Sequence, residues 1–417
     1  MATSSIVDRM ISKSSVPARP TLSNLNAVLA DVYVRHVALK QEDCQLYYKV
    51  YTQVFYRLHE LMKQVDPYYE RYSSAIKFAG SHYDRLRINK PDEYDLVIGI
   101  NVPVNMKEGI GGASDIAIEP THPGYVQLRA GVQYQKLLVR DGADCVVNRT
   151  AHHWLDERNY ITRSKFADWF KGVVNKALAR LSPNESNRPC IEIAGVLYQI
   201  RTTEGGPALT LVIEDTREFK LDVDLVPALI FPDSRWPVAG YRAIPPACHV
   251  GTWILVPKPN KHGYTVHDER RSWRIGLQEQ ERKLIHNSYN LRLTNKLLKK
   301  LRDSRGMTKI ASYYIKTLFL WEREGSDERF WCRNDLTTLF KHMLRKFHNA
   351  LVEGRISYFW NRRYNLIGHV SKQVLNGYAN IVANFLRELE EIRGHEKAAK
   401  YLLTEEEWQS YKMFFQK

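Results

Sequence analysis

The chain has 417 residues, 44% of them hydrophobic and 11% aromatic, enough to bury a sizeable core in two or three domains and too apolar for a disordered protein. Lysine and arginine number 61 against 46 acids, a formal charge of +15, which puts polyanions first among the classes of partner. The five cysteines (Cys44, Cys145, Cys190, Cys248 and Cys332) lie far apart with no CxxC spacing, which argues against a disulfide framework or compact zinc site and for a reducing compartment.

Residues 1–22 are rich in Ser, Pro and Arg and are expected to be a disordered tail. They lack the continuous apolar core of a signal peptide, and no run of roughly eighteen apolar residues occurs anywhere, so the expected location is cytoplasmic with no membrane association. A long helix follows, marked by Tyr47, Tyr51, Phe55, Leu58 and Met62 at helical spacing and closed by Asp66-Pro67. The stretch "YDLVIGINVPV" alternates and is β-branched, as a strand requires. Phe166, Phe170, Val173, Ala177 and Leu181 mark another helix. After it, "IEIAGVLYQIRTTEGGPALTLVIEDTREFKLDVDLVPALIF" reads as consecutive antiparallel strands turning at Gly205-Gly206-Pro207. From about residue 265 the chain becomes helical and basic. The expected architecture is α+β: a mixed sheet with a long spine helix over 23–245 and a helical C-terminal domain over 246–417.

Within "GSHYDRLRINKPDEYDLVIGI", Glu93 and Asp95 sit two apart on a strand and so project from one face, roughly 7 Å apart. Paired hard carboxylates repel unless a cation lies between them, and Mg²⁺ or Mn²⁺ favours such oxygen ligands while sharing its remaining positions with substrate phosphates. Two such ions about 3.5–4 Å apart activate an attacking hydroxyl and stabilise a leaving pyrophosphate. A third carboxylate is offered by "FKLDVDLVPAL", where Asp222 and Asp224 share a face and spacing alone does not choose between them. Gly80 permits close backbone approach to a phosphate, and the Ser81 hydroxyl offers a hydrogen bond to it.

Gly80-Ser81, Glu93-Tyr94-Asp95 and a later strand aspartate together resemble the signature of the nucleotidyltransferase superfamily. The stretches "GSHYDRLRINKPDEYDLVI", "EGGPALTLVI", "LDVDLVPAL", "WILVPK", "RSWRIGLQEQE" and "ASYYIKTLFLW" resemble, in the same order, the cyclic GMP-AMP synthase-like receptors of the Mab family, over most of residues 30–380. The resemblance implies a nucleotidyltransferase fold and the metal triad Glu93, Asp95 and Asp224. Asp224 is preferred because Val223-Asp224-Leu225 matches the family's step. It further implies Ser81 at the donor triphosphate, Arg274 reading the acceptor guanine with Glu281 completing the base pocket, Gln278 among the nucleotide-binding residues, and phosphate-contacting Lys296 and Lys299. Ser312, Tyr313 and Lys316 match the segment that stacks the donor base and contacts phosphate. By the same resemblance the substrates are ATP and GTP, the product a cyclic dinucleotide such as cyclic GMP-AMP, and the role an innate immune sensor upstream of a STING-type receptor, with assembly as a dimer on nucleic acid.

One departure bears on the activator. The vertebrate synthase carries a zinc thumb between its "WR" and "SYxxK" segments, whereas residues 275–311 here contain no cysteine. No zinc is expected, and the chain resembles the zinc-free insect receptors better, which favours double-stranded RNA. A-form RNA is read by shape and backbone without sequence preference. Contact with six to ten phosphates lowers affinity by roughly 10³–10⁵ between 50 and 200 mM salt. Lys300, Arg302 and Arg305, on directions adjacent to Lys296 and Lys299, are expected on an outer, duplex-facing surface. Competing readings are a linear oligonucleotide synthase resembling the oligoadenylate synthetases, and a non-catalytic Mab-type binding protein.

Overall fold

A computed structural model describes residues 22, 24–106, 114–139, 144–236, 238–260, 265–286, 288–391 and 395–415. The expected N-terminal tail, apart from Leu22, lies outside them. The chain opens with helix α1 (Leu25–His36), started by the Asn24 side chain accepting from the Ala27 N–H, and continues into the spine helix α2 (Gln41–Val65). The expected aromatic stripe is the buried face of α2: Tyr47, Tyr51, Phe55, Leu58 and Met62 are all in the core. Asp66 ends α2 and caps the short helix Pro67–Tyr72 behind it.

Strands β1 (Ser73–Ala79) and β2 (Glu93–Ile100) pair antiparallel across the turn that contains Gly80 and Ser81. Then come β3 (Ile116–Pro120), β4 (Tyr125–Ala130), helix α3 (Arg163–Leu178) and the run β5 (Cys190–Ile193), β6 (Val196–Gly205), β7 (Ala208–Glu214) and β8 (Lys220–Pro232). Strands β5 to β8 pair antiparallel in succession, as their alternation and the Gly206 turn anticipate. Strands β9 (Thr252–Val256) and β10 (Trp273–Gly276) complete one ten-stranded sheet and lie past residue 245, where the change to a helical domain was expected.

The pairing that matters for chemistry is β2 with β8. It is parallel, and its register sets Glu93 opposite Asp222 and Asp95 opposite Asp224. Strand β2 runs along one edge of β8, while β7 and then β9 follow one another along the other. Behind the acids, Tyr94 is fully buried and stacks on Tyr51 of the spine helix with centroids 4.6 Å apart. One strand thus faces the core with its aromatic residue and the opposite side with its acids.

The C-terminal half is helical: α4 (Gln278–Ile285), α5 (Tyr289–Ser304), α6 (Ser312–Gly325), α7 (Leu336–Glu353), α8 (Lys372–Glu390), α9 (His395–Leu402) and α10 (Glu405–Tyr411). Between α7 and α8 the hairpin strands β11 (Ser357–Tyr358) and β12 (Asn361–Asn365) bring Tyr358 and Trp360 into the core. Helix α1, although N-terminal in sequence, packs on this group, with the Tyr411 hydroxyl donating to Asp31 at 2.6 Å.

Candidate active site

The spacing of the acids on their strands, combined with the β2–β8 register, gathers Glu93, Asp95 and Asp224 so that one carboxylate oxygen from each lies within 4.8 Å of the others. All three are half-buried. The Thr210 hydroxyl, across the β7–β8 pairing, donates to Asp224 and orients it. Burial, then the charges of Glu93 and Asp224, push the Asp95 carboxyl up from 3.8 to about 7, and burial likewise raises Asp224. Hard oxygen donors, mutual repulsion and half-exposure are what a Mg²⁺ or Mn²⁺ site requires, so the residues fit that class of ion. Asp222 stands apart from the cluster: it faces Glu93 in register, and one of its carboxylate oxygens is buried with no hydrogen-bond partner. Of the two aspartates it is Asp224 that joins the cluster.

Gly80 is required where it stands. Its φ is +72°, and a Cβ there would lie 1.6 Å from the Asp95 Oδ2. The backbone therefore rests directly against the triad. Gly80→Ala must displace either the turn or Asp95, and a misplacement of that size costs about 10²-fold in rate. Steady-state turnover of the variant, with Mn²⁺ affinity from calorimetry, checks this expectation.

The raised Asp95 carboxyl gives a second test. In the ion-free folded protein it keeps its proton up to pH about 7, whereas in the unfolded chain it ionises near 3.8. The folded state then holds the extra proton between those values, so this group's contribution to stability falls as pH rises from about 4 to about 7 and is flat above. A divalent cation competes with that proton. The melting-temperature increment from saturating Mg²⁺ or Mn²⁺ therefore grows between pH 6 and pH 8, and Asp95→Asn removes the growth.

Two members of the triad, Glu93 and Asp95, line a cleft of about 650 Å³ together with Gly80, Ser81, Arg87, Lys90, Lys299, Arg302 and Ser312. Ser81, Lys299 and Ser312, all named from the sequence, are among its lining residues. Burial drives the Lys299 amine down to about 8, and its ammonium donates to the Leu86 carbonyl at 2.7 Å. Arg87, which carried no assignment, pairs with both Asp92 and Glu93. It lay inside the quoted motif, but only the folded turn shows which acids it meets.

Other residues sit away from the triad. Arg274 is caged by aromatic rings, its guanidinium 5.1 Å from the Tyr125 centroid and 5.2 Å from Tyr358, with Gly124 leaving the space for it. Gln278 lines a small separate crevice with Lys77 and Glu279. Glu281 is buried and accepts from the Tyr313 hydroxyl at 2.7 Å, from the Trp360 indole at 3.0 Å and from Lys316 at 2.9 Å. Lys296 turns from the cleft to α1, its ammonium 5.5 Å from the Tyr33 ring centre.

The expected duplex-facing surface is not where it was placed. Lys300 is 3% exposed and pairs with Glu407 at 2.6 Å, because α5 buries that side against α10. Arg302 lines the active cleft and pairs with Asp303. Arg305 donates to the carbonyls of Lys400, Tyr401 and Leu403, satisfying the end of α9. These three cations are structural or cleft residues. Arg302 and Arg305 stay half-exposed, and only Lys300 of the three is buried.

Residues 82–287 match the family model described as the Mab-21 protein nucleotidyltransferase domain, and residues 290–384 match the Mab-21 protein HhH/H2TH-like domain. The chain is 33% identical over 387 residues to a cyclic GMP-AMP synthase-like receptor of Tribolium castaneum, covering 92% of this chain and 93% of that protein. It is 30% identical over 397 residues to one from Ctenocephalides felis, covering 93% and 89%. A third, from Aethina tumida, is 29% identical over 386 residues. A nucleotidyltransferase domain with its acid triad assembled, followed by the matching helical domain, in a chain aligned nearly end to end with these proteins, places it in the Mab-21 family among the cyclic GMP-AMP synthase-like receptors.

Proposed function

We propose that the protein is a double-stranded-RNA sensor that joins ATP and GTP into a cyclic dinucleotide such as cyclic GMP-AMP, read in turn by a STING-type receptor, in the cytoplasm. The observation that carries the reading is the triad Glu93, Asp95 and Asp224, whose first two members line a cleft large enough for a nucleotide, with the Gly80–Ser81 turn against it. The names of the relatives support the product class, and the absence of cysteine from residues 275–311 supports a zinc-free mode of activation. Among the described residues no helix is long and apolar enough to cross a membrane.

Glu93, Asp95 and Asp224 would hold two divalent cations, which when bound polarise the attacking hydroxyl and neutralise the leaving pyrophosphate. The chain does the rest. Ser81 and the backbone of its turn meet the donor phosphates, while Lys299 and Arg302 line the cleft where the triphosphate charge falls. Arg274 in its tyrosine cage is rigid enough to select an acceptor base, while Glu281, buried and engaged by Tyr313, Trp360 and Lys316, holds the neighbouring packing in place. Ring closure requires the same site to act twice, on an acceptor turned over between steps. With Lys300 buried, Arg302 in the cleft and Arg305 holding the end of α9, duplex binding rests on other exposed cations of the +15 chain.

Incubation with ATP, GTP and Mn²⁺, with duplex RNA, duplex DNA or single strands in parallel, followed by mass spectrometry, tests the reading. A cyclic product made only with duplex RNA is the expected result. Equal stimulation by DNA overturns the RNA preference, an open-chain product makes the protein a linear synthase, and no product under any condition makes it a binding protein. Light scattering of the RNA-bound protein tests assembly as a dimer.

A further inference from the structure

Asp84 directly follows the Gly80–Tyr83 turn and is 6% exposed, a place where an unpaired carboxylate would be strongly unfavourable. Two cations from the C-terminal helices take it. The Lys316 ammonium on α6 lies 2.6 Å from one oxygen, and the Arg282 guanidinium on α4 lies 3.2 Å from the other. Both cations are engaged a second time. Arg282 also donates to the Phe78 carbonyl at the end of β1, and Lys316 also pairs with Glu281 at 2.9 Å. A third helix adds Lys299, which donates to the Leu86 carbonyl at 2.7 Å.

Three successive helices therefore grip residues 78–86 on both sides of Ser81. Inside that stretch the Asp84 N–H donates to the Gly80 carbonyl at 3.2 Å, and the Leu86 N–H donates to the Ser81 carbonyl at 2.7 Å. Gly80 in turn abuts Asp95. A shift of Asp84 passes to the triad through the backbone hydrogen bond to the Gly80 carbonyl and the close approach of Gly80 to Asp95, while the Leu86–Ser81 bond ties the far end of the turn. The Lys316 ammonium, buried between two carboxylates, has exchanged water for acids and is not free to meet a phosphate without breaking both pairs.

We propose that Asp84 is a positioning residue for nucleotidyl transfer, fixing the Gly80–Ser81 turn against the acid triad through Arg282 and Lys316, and that Lys316 is a buried latch rather than a phosphate contact. The catalytic part of this proposal rests on the transferase reading above; the latch itself does not. Two measurements on the full chain separate them: hydrogen exchange of peptides spanning residues 78–88, and steady-state kinetics with ATP, GTP, Mn²⁺ and duplex RNA.

Asp84→Asn and Lys316→Met are each expected to speed exchange over 78–88 about tenfold while leaving α2 as in wild type. Each should lower kcat about 100-fold with KM for the nucleotides changed less than about threefold. The double variant Asp84→Asn with Lys316→Met guards against loss of folding, because Glu281 keeps its Tyr313 and Trp360 donors and Arg282 keeps Phe78. It should regain the wild-type melting temperature without regaining kcat.

Unchanged exchange over 78–88 in the variants overturns the latch. A rise in KM of tenfold or more with kcat intact in Lys316→Met makes that lysine a phosphate ligand and overturns the proposal. Recovery of kcat together with melting temperature in the double variant makes Asp84 merely structural. A wild-type protein that makes no product defeats the transferase reading and with it the catalytic role, while the exchange measurement still decides the latch.

Discussion

Glu93→Gln combined with Asp95→Asn abolishes nucleotide product while leaving the protein folded and able to bind RNA. The two carboxylates leave one strand face together and face the cleft, whereas Tyr94 between them holds the strand to the spine helix by stacking on Tyr51. Cation binding at such a site is worth several kcal/mol in the transition state, so its loss lowers turnover by at least about 10³-fold. Stability moves the other way. The raised Asp95 carboxyl reports that burial and three clustered acids oppose ionisation, and removing two charges relieves that opposition. The expected result is no cyclic or linear product by mass spectrometry, no Mn²⁺ heat in calorimetry, and an ion-free melting temperature at pH 8 equal to or above wild type. Near-wild-type turnover would sink the assignment of the triad.

The two aspartates of β8 should part company. Asp224→Asn removes a member of the cluster and the acceptor of the Thr210 hydroxyl, and activity falls to background. Asp222→Asn leaves the three clustered oxygens in place and removes a neighbouring charge that opposes Glu93 across the strand pair. Its effect is a partial loss, about tenfold or less. Measuring kcat for both variants at saturating Mn²⁺ decides the order. A reversal, with Asp222→Asn the more damaging, would mean that the β2–β8 register is shifted.

Local chemistry was the part of the site written openly in the sequence. The period-two placement of Glu93, Asp95, Asp222 and Asp224 needs only strand geometry to predict shared faces, and the stripe from Tyr47 to Met62 needs only helix geometry to predict burial. Partners distant in the chain were not readable that way. Lys300 and Arg305 sit in a basic stretch and read as solvent-facing charge, yet their partners are Glu407 and the carbonyls of residues 400, 401 and 403, on helices that periodicity cannot position. The same limit hid Arg87: its residue type was visible, but the tight turn that folds it back onto Asp92 and Glu93, with Asn89 at φ +67°, was not. Strands β9 and β10 were missed for a different reason. Short strands of four and five residues carry little alternation, and the prolines and basic residues around them resemble a linker.

The parallel pairing of β2 with β8 also governs when the chemistry can exist. Parallel neighbours need a crossover, and here everything from β3 to β7 is made between them. Of the three clustered acids, two are on the ribosome's early output and the third arrives only with β8, in the middle of the sheet. Contacts of such long sequence separation form late in folding. A nascent chain or fragment ending before residue 224 therefore holds Glu93 and Asp95 without their third partner. On the proposed two-cation reading, Mn²⁺ affinity then doubles as a chain-integrity signal, registering that the centre of the sheet has closed, which no fragment ending before residue 224 can do.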